Sequence, residues 1–184
     1  MRALPDILMS QPRILFVGIN PGLRSAEIGH HFAGRGNPFY RLLHAAGLTP
    51  TVLTPEEDVR LPEFGLALTN LCPRPSRAAS ELSRAEIADG ARRLAEKIAQ
   101  LRPAVVAFVG LSIYQDFFQL PHSGGPGGKA QTLFGARVFV VPNPSGLNQS
   151  FPGFADKLTW FVRLAQFAAT SPNPAPVTAP TSAD

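Results

Sequence analysis

Residues 14–22 read ILFVGINPG, an apolar run that stops at a Gly-Ile-Asn-Pro-Gly turn. A run this short and this uniformly apolar has no polar face, so as a strand it must be covered on both sides. Three further runs share its character, at residues 66–71, 105–109 and 138–141. Stretches with helical spacing alternate with them. The clearest is 86–101, where Ile87, Ala91, Leu94, Ile98 and Leu101 recur at intervals of three and four, with Ser83 and Glu86 forming a capping box at its start. Shorter helices are predicted at 38–46, with Asn37 as cap and Pro38 in the first turn, at 111–118 and at 155–167. Alternating strands and helices imply an α/β fold: three αβα layers around a mainly parallel sheet of about four strands. Ligands of such sheets bind beyond the carboxyl ends of the strands. The segments found there, Asn20-Pro21-Gly22, residues 70–75 and Asn143-Pro144-Ser145-Gly146, are polar and turn-forming, and the site is expected among them.

The chain has 184 residues, 45% of them hydrophobic and 16% charged, enough for one sizeable core and short for two. A single domain is expected over residues 1–169. From 170 to 184 the sequence is rich in Pro, Ala, Ser and Thr, offers little surface to bury, and is read as a disordered tail. The 16 glycines and 19 prolines exclude a helical bundle, and they show no collagen-like period. A single cysteine, Cys72, excludes an internal disulfide, a cysteine-ligated iron–sulfur cluster and a zinc site built on paired cysteines. The formal charge of +4 favours an anionic partner. Fourteen of the 17 cations are arginine, which suits phosphate contact but follows equally from GC-rich codon usage. No apolar stretch approaches the length of a membrane span, and the amino terminus lacks the pattern of a secretion signal. The expected location is the cytoplasm, with nucleoid association in a bacterium.

Several tempting motifs fail on their chemistry. In HSGGPGGKA, residues 122–130, Lys129 follows two glycines, but Ser123 stands where a phosphate loop requires glycine and Ala130 where it requires Ser or Thr. A flexible loop is the better reading. Ser112 in GLSIY lacks the closing glycine of a nucleophile elbow. Cys72 has no recognisable base partner and reads as a buried thiol. His30 and His31 are adjacent, so their side chains diverge; no metal and no cofactor are expected.

Two segments on separate strands carry a specific resemblance: VGINPGLRSAEIGHHFAGRGNPF at 17–39 and VPNPSGL at 141–147. With TNLCPRPS at 69–76 and GKAQTL at 128–133 as weaker matches, residues 14–167 resemble the mismatch-specific uracil and thymine DNA glycosylases of the uracil-DNA glycosylase superfamily. The resemblance implies an enzyme that extrudes a base from double-stranded DNA containing a G·U or related mismatch and hydrolyses its glycosidic bond. Flipping costs a few kcal/mol and is cheapest at a weakened pair. By the resemblance, Asn20 holds the attacking water and Phe32 stacks on the flipped base. Asn37, Asn143 and the peptide groups around Ile19 meet the pyrimidine, with His31 lining the same pocket. Ser25 and Lys129 approach DNA phosphates, and Ser145, Gly146, Leu147 and Gln149 enter the space the base vacates. The resemblance also implies a monomer. Two departures bear on specificity, because Asn70 replaces a lysine and Gln149 an arginine of the family pattern. Small residues at Ser25, Ala26 and Gly29 suggest room at the C5 edge of the base, for thymine or modified pyrimidines.

One residue is singled out on local grounds alone. Asp89 could supply the proton acceptor that a neutral Asn20 amide lacks, and Gly90 beside it leaves space for something to approach. The competing reading is an ordinary ion pair with Arg93, four residues on. The rival function from another class is a non-catalytic module that binds damaged DNA on the same fold.

Overall fold

The computed structural model describes residues 3–146 and 148–170. Most of the expected tail, residues 171–184, and the expected wedge Leu147 lie outside the described residues. The strands are β1 (Ile14–Gly18), β2 (Leu66–Asn70), β3 (Val105–Val109), β4 (Gly127–Leu133) and β5 (Ala136–Val141). The helices are α1 (Leu23–Ile28), α2 (Phe39–Ala45), α3 (Arg84–Leu101), α4 (Leu111–Phe118) and α5 (Phe154–Ala169), with 3-10 turns at Pro55–Phe64 and Ala79–Glu81.

The sheet runs in the order β2-β1-β3-β5-β4 and is parallel throughout except for β4, which lies antiparallel to β5. Alternation along β1 shows why its run is uniformly apolar. Ile14 and Phe16 join one core with Phe39, Leu42, Leu43, Phe161 and Leu164 of α2 and α5. Leu15 and Val17 join a second core with Leu94, Ile98, Ile113 and Tyr114 of α3 and α4. Both faces of the strand are covered, as the absence of a polar face requires.

The described residues form five strands rather than about four, and the additional one overturns the flexible-loop reading for residues 127–130, while 122–126 remain a loop. Strand β4 begins inside that segment and alternates half-buried with exposed residues along its length, as expected of an antiparallel edge strand. Its polar Lys, Gln and Thr and its two glycines hide it from a search for apolar runs. Gly128 lets the Phe167 ring pack on the strand, since a Cβ would sit 2.9 Å from it and the ring would have to shift.

Helix α3 starts as its capping box predicts: Ser83 Oγ accepts from the Glu86 amide (3.2 Å) and Glu86 Oε2 accepts from the Ser83 amide (2.8 Å). Helix α2 begins at Phe39 with Pro38 rather than Asn37 at the cap position, one residue later than expected, and Asn37 Oδ1 accepts from the Phe39 amide at 3.0 Å from just outside the helix. No helix among the described residues is long and apolar enough to cross a membrane.

Candidate active site

A cleft of about 800 Å³ opens at the carboxyl ends of β1, β2, β3 and β5. It is lined by Gly18, Ile19 and Asn20 after β1, Asn70 and Ser76 after β2, Gly110 and Ser112 after β3, and Asn143 and Ser145 after β5. The loop that follows α1 contributes His31, Phe32 and Asn37. Eight of the site residues expected from the sequence thus meet around one cavity or its wall: Ile19, Asn20, Ser25, His31, Phe32, Asn37, Asn143 and Ser145.

The Asn20 amide is held by the segment after β2. Its Nδ2 donates to the Arg74 carbonyl and to Ser76 Oγ, each at 2.8 Å, and Ser76 Oγ in turn donates to the Ala78 carbonyl at 2.7 Å. Because a carbonyl can only accept, these bonds define which end of the amide is nitrogen. Oδ1 makes no hydrogen bond among the described residues and is left as an acceptor. The supporting segment is itself anchored, with the Leu71 amide donating to Gly18, the Cys72 amide to Ile19 and the Ser76 amide to Pro21. At its centre Arg74 Nε donates to Glu86 Oε1 at 2.5 Å, and Arg74 with the Ser83 cap pulls the Glu86 carboxyl down to about 2. The cap of α3 and the orientation of Asn20 therefore share one arginine.

Phe32 has φ +52°, a left-handed conformation that a bulky residue adopts only under constraint. One face of its ring is stacked on Phe39, with centroids 3.9 Å apart and planes 21° from parallel. Core packing and a cleft-lining position are thus combined in one residue. Gly18 lies beneath both the ring and Asn70: a Cβ there would clash with Asn70 Oδ1 at 2.5 Å while only touching Phe32 Cζ at 3.9 Å.

His31 is buried, its Nε2 lying 2.8 Å from the Pro5 carbonyl, so Nε2 carries the hydrogen. Burial lowers its pKa below the usual 6.5, against opposing pulls from the Pro5 hydrogen bond, Asp58 and Asp6. Asn143 Oδ1 accepts from the Ser145 amide (2.9 Å) and its carbonyl from Asn148 Nδ2 (3.0 Å), which folds the turn over the cleft. Ser25 is buried, with Oγ accepting from the Ala33 amide at 3.0 Å; it fastens α1 to the loop of Phe32.

Other expected residues stand elsewhere. Lys129 does not line the cleft: its ammonium donates to the Gly125 carbonyl at 2.5 Å and lies 5.3 Å from the Tyr114 ring centre. It pins the cleft-lining loop of Gly124, Gly125 and Pro126 from behind, and burial lowers its pKa. Gly146 and Gln149 are exposed at the rim, next to lining residues Ser145, Asn148 and Ser150.

Asp89 is a correction. It lies outside the cleft, exposed on α3, with Oδ1 3.0 Å from Arg92 and Oδ2 2.6 Å from Arg93. The space beside Gly90 is taken by the chain itself, since a Cβ there would fall 2.3 Å from the Leu71 carbonyl oxygen. Cys72 is the buried thiol expected, 3.5 Å from the Glu86 carbonyl.

The sequence reading missed Arg77, Asn148, Ser150 and Phe151 as lining residues. Arg77 is the only lysine or arginine, and no Asp or Glu is found, among the described lining residues. Its proximity follows from Ser76, whose bond to Asn20 no sequence spacing reveals. Among the described residues the cleft thus offers amide groups, the rings of Phe32 and Phe151 and one cation, with no carboxylate to take a proton.

Comparison with known proteins bears on the fold and the family. The described sheet and helices resemble the solution NMR structure of a candidate uracil DNA glycosylase from Methanosarcina acetivorans, with a TM-score of 0.61 at 21% identity over 90% of this chain and 98% of that one. Residues 5–166 match the family described as the uracil DNA glycosylase superfamily, and the chain belongs to it.

Proposed function

We propose that the protein is a monofunctional glycosylase that hydrolyses the N-glycosidic bond of uracil in mismatched double-stranded DNA, with G·U pairs as its principal substrate. The observation that carries this reading is the Asn20 amide, whose two hydrogens are committed to Arg74 and Ser76 and whose Oδ1 remains an acceptor in a cleft with no carboxylate among its described lining residues. Such an oxygen can hold a water by one of its hydrogens and aim its lone pair at the sugar carbon, C1′. It cannot remove the proton as a carboxylate would. The chemistry must then depend on departure of the base: the C1′–N1 bond breaks, its electron pair leaves with uracil, water adds to the cationic sugar carbon, and the released proton passes to solvent.

Donors facing the pyrimidine oxygens stabilise that leaving charge. The Asn37 amide, whose Oδ1 is engaged with Phe39, has its Nδ2 to offer, and Asn143 is in the same position through its bond to Ser145. Phe32, backed by Phe39, presents a rigid platform for a flipped ring. Without a strong base the enzyme gains most where flipping is easiest, which favours a wobble pair over a regular one. Of the small residues Ser25, Ala26 and Gly29 only Ser25 lines the cleft, so thymine and modified pyrimidines are further substrates of this reading on the family resemblance alone. The test is a labelled duplex with one G·U pair, incubated with protein and then treated with hot alkali. Protein-dependent cleavage at the uracil supports excision; binding without an alkali-labile site supports the non-catalytic module.

A further inference from the structure

We propose that Asp58 is a positioning residue for Phe32, holding the aromatic platform of the cleft from an element that does not itself line it. The inference rests on the reading of Phe32 as the stacking surface for a flipped base. Asp58 belongs to the 3-10 turn Pro55–Phe64 and is 1% exposed. Its Oδ2 accepts from the His31 amide at 2.9 Å, and its Oδ1 lies 3.1 Å from His30 Nδ1. Two further polar groups of the residue before Phe32 are also engaged: the His31 carbonyl accepts from Tyr40 Oη at 2.7 Å, and its ring Nε2 donates to the Pro5 carbonyl at 2.8 Å. On the far side of Phe32, the Ala33 amide donates to Ser25 Oγ at 3.0 Å.

This framework explains how a phenylalanine is kept at φ +52°. A left-handed aromatic residue relaxes to an ordinary conformation unless its neighbours are fixed, and relaxation would turn the ring out of its stack on Phe39. Asp58 is the charged member of the framework, and acceptance by a carboxylate makes the strongest of these bonds. Removing it leaves the buried His31 amide without an acceptor. An asparagine in its place would retain an acceptor for that amide and a donor for His30.

The test is a double-mutant cycle between Asp58→Ala and Phe32→Leu, read as single-turnover excision from the G·U duplex, with ring NMR signals of Phe32 as a second readout. Asp58→Ala is expected to raise the half-saturating protein concentration about tenfold, the scale of one lost base stack, while affecting the saturating rate less. Asp58→Asn should restore it. In the Phe32→Leu background Asp58→Ala should add nothing, and its Phe32 ring signals should shift in the wild-type background. An equal fold-loss in both backgrounds, or unshifted ring signals, overturns the proposal. Should Asp58→Ala fail to fold, Asp58→Ser, whose single oxygen cannot serve both histidines, replaces it with the same expectations. If wild-type protein excises no uracil, the proposed function fails, and the ring signals still decide the role of Asp58.

Discussion

Gly90→Ala places two opposing effects on one residue, and the structure decides between them. In an exposed helix interior, alanine is worth about 1 kcal/mol more than glycine, so helix propensity alone would stabilise α3. Here the new Cβ would lie 2.3 Å from the Leu71 carbonyl oxygen, 3.1 Å from its carbon and 3.3 Å from Cys72 Sγ, where ordinary contact begins at 3.4 Å. The overlap is with backbone, so rotation of a side chain cannot relieve it. Helix α3 is held by its capping box and by buried Leu94 and Ile98, while Leu71 is held by the hydrogen bond that its N–H donates to the Gly18 carbonyl. Overpacking of this kind costs roughly 1–3 kcal/mol, and the upper half applies when backbone must move. Subtracting the propensity gain leaves a net loss of about 1–2 kcal/mol, or about 2–8 °C in Tm for a chain of this size. The assay is thermal unfolding followed by circular dichroism. Displacement of Leu71 also disturbs the segment that holds the Asn20 amide, so single-turnover excision measured well below the Tm should fall as well. A Gly90→Ala variant with an unchanged or higher Tm would refute the reasoning.

Three other outcomes follow from the site. Buried His31 has a pKa below its unfolded value, so the unfolded chain binds the proton more tightly; stability is complete above the ordinary histidine value of 6.5 and declines as pH falls through it. Tm should therefore drop between about pH 7.5 and about pH 5.5, and His31→Gln should flatten that dependence. Gln149→Arg should raise the ratio of excision from G·U over A·U, because a glutamine amide can donate and accept without insisting on guanine; the ratio in wild type and variant measures it. Asp89→Ala should leave the single-turnover rate unchanged across the pH range, since its carboxylate faces Arg92 and Arg93 outside the cleft.

The parts of this fold that could be read from the chain are those where local pattern and tertiary environment agree. Strands β1, β2, β3 and β5 are buried on both faces or nearly so, and burial leaves an apolar run. The capping box of α3 is local chemistry and appears three residues apart in sequence and structure alike. Strand β4 was illegible because it sits at the edge, where half its residues meet solvent, and because Gly127 and Gly128 pack beneath Trp160 and Phe167 in place of side chains. The site shows the same division. Asn20 and Phe32 were legible from the motifs around them. Arg74, Ser76 and Asp58 were not, since their contacts to Asn20 and His31 span 54, 56 and 27 residues and leave no spacing to detect. Asp89 misled because an empty Cβ position in a helix looks the same in sequence whether a ligand or the chain itself fills it.

The central claim is that the Asn20 amide oxygen, oriented by Arg74 and Ser76, positions the water that hydrolyses the glycosidic bond. The direct measurement compares wild type and Asn20→Ala on one G·U duplex, reading affinity by fluorescence anisotropy and excision under single-turnover conditions with protein in excess. The expected result is a fall in excision rate on the order of 100-fold, the scale of a misplaced reactant, with affinity for the duplex retained. An Asn20→Ala protein that binds as before and excises uracil at the wild-type rate would contradict the account.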